Sequence, residues 1–157
     1  MTNNKGPIIL YYGAEQKKIV SEIDDKRFLS LQVSGGSRES NTSRTDLFLF
    51  AMALGLESKT KTPIKQPDTL IRSEYMSPNS DAFLYAAYVN ELKSKEDLEV
   101  FSNKSAIYKS AQEYATTGFD LIGAMIKNKT DLTVAKEMIK DMDKSYEEYF
   151  GKTDELE

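Results

Sequence analysis

Cysteine, histidine and tryptophan are all missing from the 157-residue sequence. Without cysteine the chain has no disulfide bond, thiolate nucleophile or cysteine metal site. Without histidine it has no Ser-His-Asp or Cys-His nucleophile system, and it lacks the side chain best suited to proton transfer near neutral pH. Together the two absences exclude zinc fingers. Only carboxylates, lysine, tyrosine and serine remain for chemistry, and we expect a protein that is not an enzyme and that holds no cofactor or metal.

Long apolar segments are missing as well. No segment approaches the roughly 20 apolar residues that a membrane helix needs. Near the start of the chain, the apolar patch that follows Pro7 has about five residues and is shorter than the core of a signal peptide. Together with the lack of cysteine, these features predict a cytoplasmic protein that makes no membrane contact.

The net charge of −4 is unevenly distributed. Residues 1–75 carry 11 basic and 9 acidic side chains, a net of +2, whereas residues 76–157 carry 10 basic and 16 acidic ones, a net of −6. Tight non-specific binding to DNA usually requires an excess of lysine and arginine, so the whole chain is a poor candidate for it. An electrostatic partner surface is expected in the first half.

The best-defined segment runs from Ser43 to Gly55 and contains the apolar run Leu47 to Leu54. Periodicity alone does not separate a buried strand from a buried helix at this length. The ends favour a helix, because Ser43 and Asp46 have the spacing of a capping box and Gly55 can supply a left-handed stop. No β-branched residue interrupts the run. We therefore predict a central buried helix at residues 44–54.

Around this helix we predict a single all-α domain, residues 1–151, with about five or six helices and room for one small strand pair. Strand candidates are Pro7 to Tyr12, Leu29 to Val33 and Thr69 to Met76. Further helices are expected from Ala14, from Ser80 to Leu92, from Ser94 to near Phe101, along Ile107 to Met125 with one apolar face, and from Asp131 to Gly151. Residues 152–157 are polar and predicted to be disordered.

Two features of the predicted helices matter for packing. Gly118 lies in the middle of the longest apolar face, where a glycine destabilises a helix by about 1 kcal/mol relative to alanine. We expect that a neighbouring helix approaches closely at this position and requires the glycine. The last helix is predicted to turn the apolar residues Leu132, Ala135, Met138, Ile139, Met142, Tyr146 and Tyr149 inward.

Basic side chains are concentrated in two predicted loops, at residues 38–44 and 59–72. They are Arg38, Arg44, Lys59, Lys61, Lys65 and Arg72. Side chains of this kind can neutralise phosphates, and the flanking prolines would keep the second loop extended. The simpler interpretation is that alternating lysine and threonine solvate a loop, and it is favoured because such short patterns often arise by chance.

Tyrosines mark two of the predicted helices. Tyr85, Tyr88, Val89 and Leu92 share one helical stripe, and Tyr146 and Tyr149 lie on the last helix. Aromatic stripes of this kind can stack on bases, but they are more often part of a core or a protein interface. We assign the four tyrosines Tyr85, Tyr88, Tyr146 and Tyr149 as candidate contacts to a partner protein.

A nuclease-like pattern can also be traced through Asp68, Glu91 and Lys93. Restriction-type nucleases hold a magnesium ion with such residues, which project from adjacent strands. Here Glu91 and Lys93 close a predicted helix and Asp68 follows a proline in a loop. The spacing is therefore interpreted as accidental.

Four short blocks, taken in order, resemble a family of small bacterial proteins associated with the Dnd DNA-phosphorothioation systems. The blocks begin at Thr45 (TDLFLFAMALG), Lys61 (KTPIK), Ala82 (AFLYA) and Glu113 (EYATTGFDLI) and cover about residues 40 to 126. The resemblance implies a cytoplasmic accessory protein of bacterial antiviral defence, without catalytic residues. The Ser-Gly-rich loop before the central helix and the long final helix depart from that family.

The strand candidate Leu29 to Val33 and the helix from Ser43 to Gly55 more weakly resemble ribbon-helix-helix DNA-binding proteins, in which a strand runs closely into two short helices. The nine-residue loop between them, residues 34–42, and the wholly apolar helix argue against this resemblance. We therefore expect a non-catalytic accessory subunit of a bacterial DNA-modification or defence system that docks on a partner protein, since the acidic second half and the tyrosines suit such a partner. The alternative is a DNA-binding protein that uses the six basic residues.

Overall fold

The computed structural model describes residues 8–26, 43–89, 103–127 and 131–150. Within these ranges the chain forms strands β1 (Ile9–Tyr12) and β2 (Asp68–Arg72), a single 3-10 turn (Ser73–Tyr75), and helices α1 (Ala14–Lys26), α2 (Arg44–Glu57), α3 (Pro78–Val89), α4 (Lys104–Ile126) and α5 (Asp131–Phe150). The predicted all-α bundle with a small strand pair is confirmed. The elements predicted at 29–33 and 94–101 and the tail 152–157 lie outside the described residues.

Helix α2 starts where the sequence predicts, with the Ser43 hydroxyl accepting the amide N–H of Asp46 at 3.4 Å. The predicted stop at Gly55 is wrong, because the helix continues to Glu57. Gly55 is buried, and a Cβ atom on it would lie 2.0 Å from the carbonyl oxygen of Tyr114 in α4. The glycine is therefore required by helix packing rather than by a turn.

Helix α4 makes the reciprocal contact. A Cβ atom on Gly118 would lie 1.7 Å from the carbonyl oxygen of Ala51 in α2. The predicted close approach at Gly118 is confirmed. With one glycine on each helix, α2 and α4 cross backbone against backbone, which larger side chains would prevent.

The core lies around this crossing. Its largest fully buried side chains include Leu47 and Phe48 from α2, and Ile107, Tyr108, Phe119 and Ile122 from α4. The apolar face predicted for α4 is confirmed, with Ala111 and Ala115 buried and Met125 partly buried. Helix α1 adds Val20 and Ile23 to this core.

The two strands form an antiparallel pair that contributes Leu10 and Ile71 to the core. The register shifts between Leu10 and Tyr11, which indicates a β-bulge. The side-chain oxygen of Gln112, buried in α4, accepts the Tyr11 amide N–H at 2.7 Å. This hydrogen bond fixes the bulge on α4.

Candidate functional site

Helix α3 begins at Pro78, two residues before the predicted start at Ser80. The Ser77 hydroxyl accepts the amide N–H of Ser80 at 3.1 Å, and Pro78 occupies the first helical position. Serine before the helix and proline at its start are a strong N-terminal signal. Ser77, not Ser80, is therefore the capping residue, and the predicted end at Leu92 lies outside the described residues.

The inner side of α3 packs on the bundle. Leu84 and Ala87 are buried, and Tyr85 and Tyr88 are partly buried against the same core. Two of the predicted partner contacts, Tyr85 and Tyr88, therefore lie at the contact between α3 and the core of the same chain. Val89, which shares their predicted stripe, does not pack with them and is 50% exposed.

The other side of α3 is exposed and apolar. It carries Ala82, Phe83, Ala86 and Val89, which we call the α3 outer face. Phe83 is 61% exposed. A helix that is apolar on all sides is normally buried all round, whereas the described residues bury only the Leu84 and Ala87 side of α3. The α3 outer face is the first candidate for a docking surface.

Polar contacts fix the position of α3 on α4. The hydroxyl of Tyr108, a buried α4 residue, donates to the Asp81 carboxylate, and Lys104 Nζ lies 3.1 Å from the same carboxylate. The Lys104 ammonium also lies 5.1 Å from the centre of the Tyr108 ring. Burial and the Asp81 carboxylate raise the pKa of Tyr108 well above its ordinary value, so the hydroxyl stays protonated and keeps donating. The α3 outer face is thereby held in place.

Helix α5 has a second exposed apolar surface. The prediction that its apolar residues turn inward holds for Met138, which is buried, but is wrong for Ile139, Met142 and Tyr146. These three, which we call the α5 stripe, are 59%, 64% and 65% exposed. Tyr146 is thus accessible to a partner, whereas the side chain of Tyr149 lies outside the described residues.

Arg44 at the start of α2 and Arg72 at the end of β2, two of the six predicted DNA contacts, line one groove. This open groove, about 450 Å³ in volume, also contains Thr69 and the exposed Tyr75. Arg44 donates to both carboxylate oxygens of Asp24, at 3.0 and 2.5 Å. Arg72 lies 3.7 Å from Glu74. Both guanidinium groups therefore already have acidic neighbours, and Arg38 lies outside the described residues.

The predicted lysines lie elsewhere. Lys59 lies two residues beyond the end of α2 and Arg44 begins that helix, so the 14-residue length of α2, about 21 Å, separates the two positions. Lys61 lies over the ring of Tyr114 at 4.9 Å, and Lys59 and Lys65 are exposed. The fold therefore does not gather the six basic residues into one patch.

The lysine-bearing segment is fixed to α4 through Thr62. Its amide N–H donates to the carbonyl oxygen of Glu113 at 3.1 Å, and its hydroxyl lies 2.9 Å from that of Thr117. Lys59 and Gln66 adopt positive φ angles of 54° and 50°. This segment is an ordered connection that spans from α2 to β2.

Asp68, one of the two carboxylates of the nuclease-like pattern, is in an ion pair. Lys17 Nζ lies 2.5 Å from it, and this hydrogen bond lowers the pKa of Asp68 and raises that of Lys17. Glu91 and Lys93 lie outside the described residues. In the described parts of the chain, no three or more acidic side chains are grouped to hold a metal ion.

No helix in the described ranges is long and apolar enough to cross a membrane. Comparison with protein-family models, curated proteins and solved structures gives no match to this chain.

The sequence analysis did not name Phe83 as a candidate site residue, although Phe83 is the largest exposed side chain of the α3 outer face. A signal was present, because residues 82–89 are apolar at every position. A helix without a polar side that packs against a bundle on one side must expose apolar residues on the other. The pattern could have identified the surface, but only packing shows which residues lie on it.

Proposed function

We propose that this protein is a non-catalytic accessory subunit that docks on a partner protein through the α3 outer face. The observation that carries this proposal is the exposure of Phe83 and Val89 on a helix whose opposite side is packed on the bundle and whose N-terminus is capped. A few large anchor side chains near the centre of an interface, often aromatic, supply most of the free energy of protein association. The Tyr108 and Lys104 contacts hold α3 in place, so little order has to be gained on binding.

The wider role that we propose is in the cytoplasm, as part of a bacterial DNA-modification or antiviral defence system. Its support is the resemblance of the four sequence blocks to Dnd-associated proteins. Three of these blocks lie in α2, α3 and α4, which form the core and the α3 outer face. In such a role the partner would be a protein subunit of the same system.

Replacing Phe83 by aspartate is expected to abolish co-purification of the partner without unfolding the chain. The substitution places a charge at the centre of the apolar surface, and losses of about 2 kcal/mol or more in binding are typical when such an anchor is removed. The measurement is affinity purification of the tagged full chain from its native cells, followed by quantification of any stoichiometric partner.

The chain offers a matched control for this experiment. Ala86 lies on the α3 outer face and Ala53 lies on the exposed side of α2, so Ala86→Asp and Ala53→Asp make the same chemical change in two exposed helical positions. Ala86→Asp should weaken partner binding and Ala53→Asp should not. Retention of the partner by Phe83→Asp at wild-type stoichiometry would show that α3 is not the docking surface.

A second candidate function, direct DNA binding, is supported by the groove that joins Arg44 and Arg72 beside Tyr75. An aromatic ring next to arginines is a common arrangement for contacts to single-stranded nucleic acid. The ion pairs to Asp24 and Glu74 weaken this candidate, because they neutralise the charges that would attract phosphates.

Fluorescence anisotropy with labelled duplex DNA, plain and phosphorothioated, separates the two functions. Under the docking proposal we expect no binding at near-physiological salt. A DNA-binding protein would instead lose affinity steeply with salt, because each phosphate contact releases counterions. Such binding, if it were lost in Arg72→Gln or in the Lys59/Lys61/Lys65→Glu triple variant, would replace the docking proposal and show which of the two basic regions contacts DNA.

A further inference from the structure

The α5 stripe follows a heptad pattern. Ile139, Met142 and Tyr146 are spaced by three and four residues, and the sequence continues this spacing to Leu132 and Ala135 on one side and Tyr149 on the other. In heptad notation these six residues occupy alternating a and d positions. Apolar residues in this repeat form the seam of a helix pair, so α5 carries the sequence of a helix that packs against a second helix.

Within the described residues, that seam stays exposed at Ile139, Met142 and Tyr146. Helix α5 faces α2 and α4 with polar side chains: Ser145 donates to the Glu57 carboxylate at 2.7 Å, and Asp141 and Glu148 line a groove of about 280 Å³ beside Leu54. Among the described side chains of α5, Met138 is buried on this side. The α5 stripe points away from these contacts and is more than half exposed at each of its three residues.

We propose that the α5 stripe binds the α5 stripe of a second copy of this chain, with the two helices antiparallel. In that arrangement Ile139 of each copy packs beside Met142 of the other, because a positions meet d positions across the two-fold axis. The interface is self-complementary, so it closes as a dimer and leaves no open end.

The charges beside the seam fit this pairing. Lys136 and Asp143 both occupy e positions, one heptad apart, and both are exposed. In an antiparallel pair e positions of the two helices adjoin, so Lys136 of each copy lies beside Asp143 of the other and two opposite-charge pairs form. In a parallel pair Asp143 would instead adjoin Met138, which is buried in its own bundle. Charge complementarity therefore favours the antiparallel second copy over a parallel one.

This inference is independent of docking through the α3 outer face, which lies on another helix. Sedimentation equilibrium of the full chain over a wide range of concentrations tests it, since dimer formation changes the measured mass. We expect the wild-type chain to form a dimer. We expect Ile139→Asp or Met142→Asp to weaken it at least about a hundredfold, because each change introduces two buried charges at the two-fold interface.

Lys140→Gln is the matched control, because Lys140 is exposed on the opposite side of α5 and the change shifts the net charge by −1, as Met142→Asp does. It should leave the dimer intact. Circular dichroism should show the same helix content in all variants, since the replaced side chains are exposed.

A charge exchange tests the register. Lys136→Glu or Asp143→Lys alone should weaken the dimer about tenfold, because each creates two like-charge pairs. The double variant Lys136→Glu/Asp143→Lys should restore it. A wild-type chain that stays monomeric, or a dimer that survives both stripe variants, would overturn the proposal. Failure of the double variant to recover would overturn the antiparallel pairing.

Discussion

Replacing Gly118 by alanine is expected to destabilise the protein by about 3 kcal/mol or more, because the new methyl group has no space. Its carbon would lie 1.7 Å from the Ala51 carbonyl oxygen, which is a backbone atom that cannot rotate away. Insertion of a methylene into a tight core typically costs about 1–3 kcal/mol and sometimes more. Here α2 and α4 must separate, which also loosens the buried side chains around the crossing. The free energy of unfolding from urea titration measures the effect.

Gly123 provides the matched control for this substitution, since it lies on the same helix. A Cβ atom there would lie 2.7 Å from Cδ1 of Ile19, which is the end of a flexible side chain. Alanine is favoured over glycine in a helix by about 1 kcal/mol, and this gain applies at both positions. Gly123→Ala should therefore be neutral or stabilising. Equal stability of the two variants would contradict the close approach of α2 and α4.

Replacing Phe48 by alanine is expected to cost about 3–5 kcal/mol, the range found when a buried aromatic residue leaves a cavity. Phe48 is fully buried on α2, in the centre of the core. Because the whole protein is expected to have a stability of about 5–15 kcal/mol, this single change removes a large fraction of it. The midpoint and slope of urea unfolding would report the loss, with an unchanged slope showing that the unfolded state is the same.

Phe83→Ala is the comparison for Phe48→Ala, because it shows whether the exposed phenylalanine on α3 contributes to the stability of the fold. The same atoms are deleted, but Phe83 is 61% exposed on α3, so its removal should change the free energy of unfolding by less than about 0.5 kcal/mol. A phenylalanine that contributes little to folding while exposed is consistent with a role in binding. A loss of several kcal/mol at Phe83 would instead make it part of the core and remove the basis of the docking proposal.

The two exposed apolar surfaces have different characters. The α3 outer face is short, free of charge and anchored through Asp81 and Tyr108, which suits a preformed contact for an unlike partner. The α5 stripe is longer, follows a heptad repeat and has opposite charges at its margin, which suits a second copy. If both proposals hold, the dimer presents two α3 outer faces and can hold two partner subunits.

Much of the fold followed from local sequence. The spacing of Ser43 and Asp46 predicted the start of α2, and the apolar spacing from Ile107 to Met125 predicted the buried face of α4, since both depend on residues a few positions apart. The interpretation of Gly118 as a close contact was also available, because a mid-helix glycine has a cost that packing must offset. The end of α2 could not be predicted from local sequence. A glycine such as Gly55 gives the same sequence signal whether it ends a helix or makes room for a neighbouring helix.

The candidate sites depended on tertiary structure. The sequence analysis predicted that Tyr85 and Tyr88 contact a partner and that the apolar residues of α5 turn inward. In the structure the two tyrosines pack on the core, whereas the α5 stripe is exposed. Periodicity shows that apolar residues share a helix face, but which way that face turns depends on contacts with residues far away in the chain. The same applies to the basic residues, which the length of α2 separates. Local sequence signals therefore decide which helices form, and long-range packing decides which apolar faces of the described helices stay exposed.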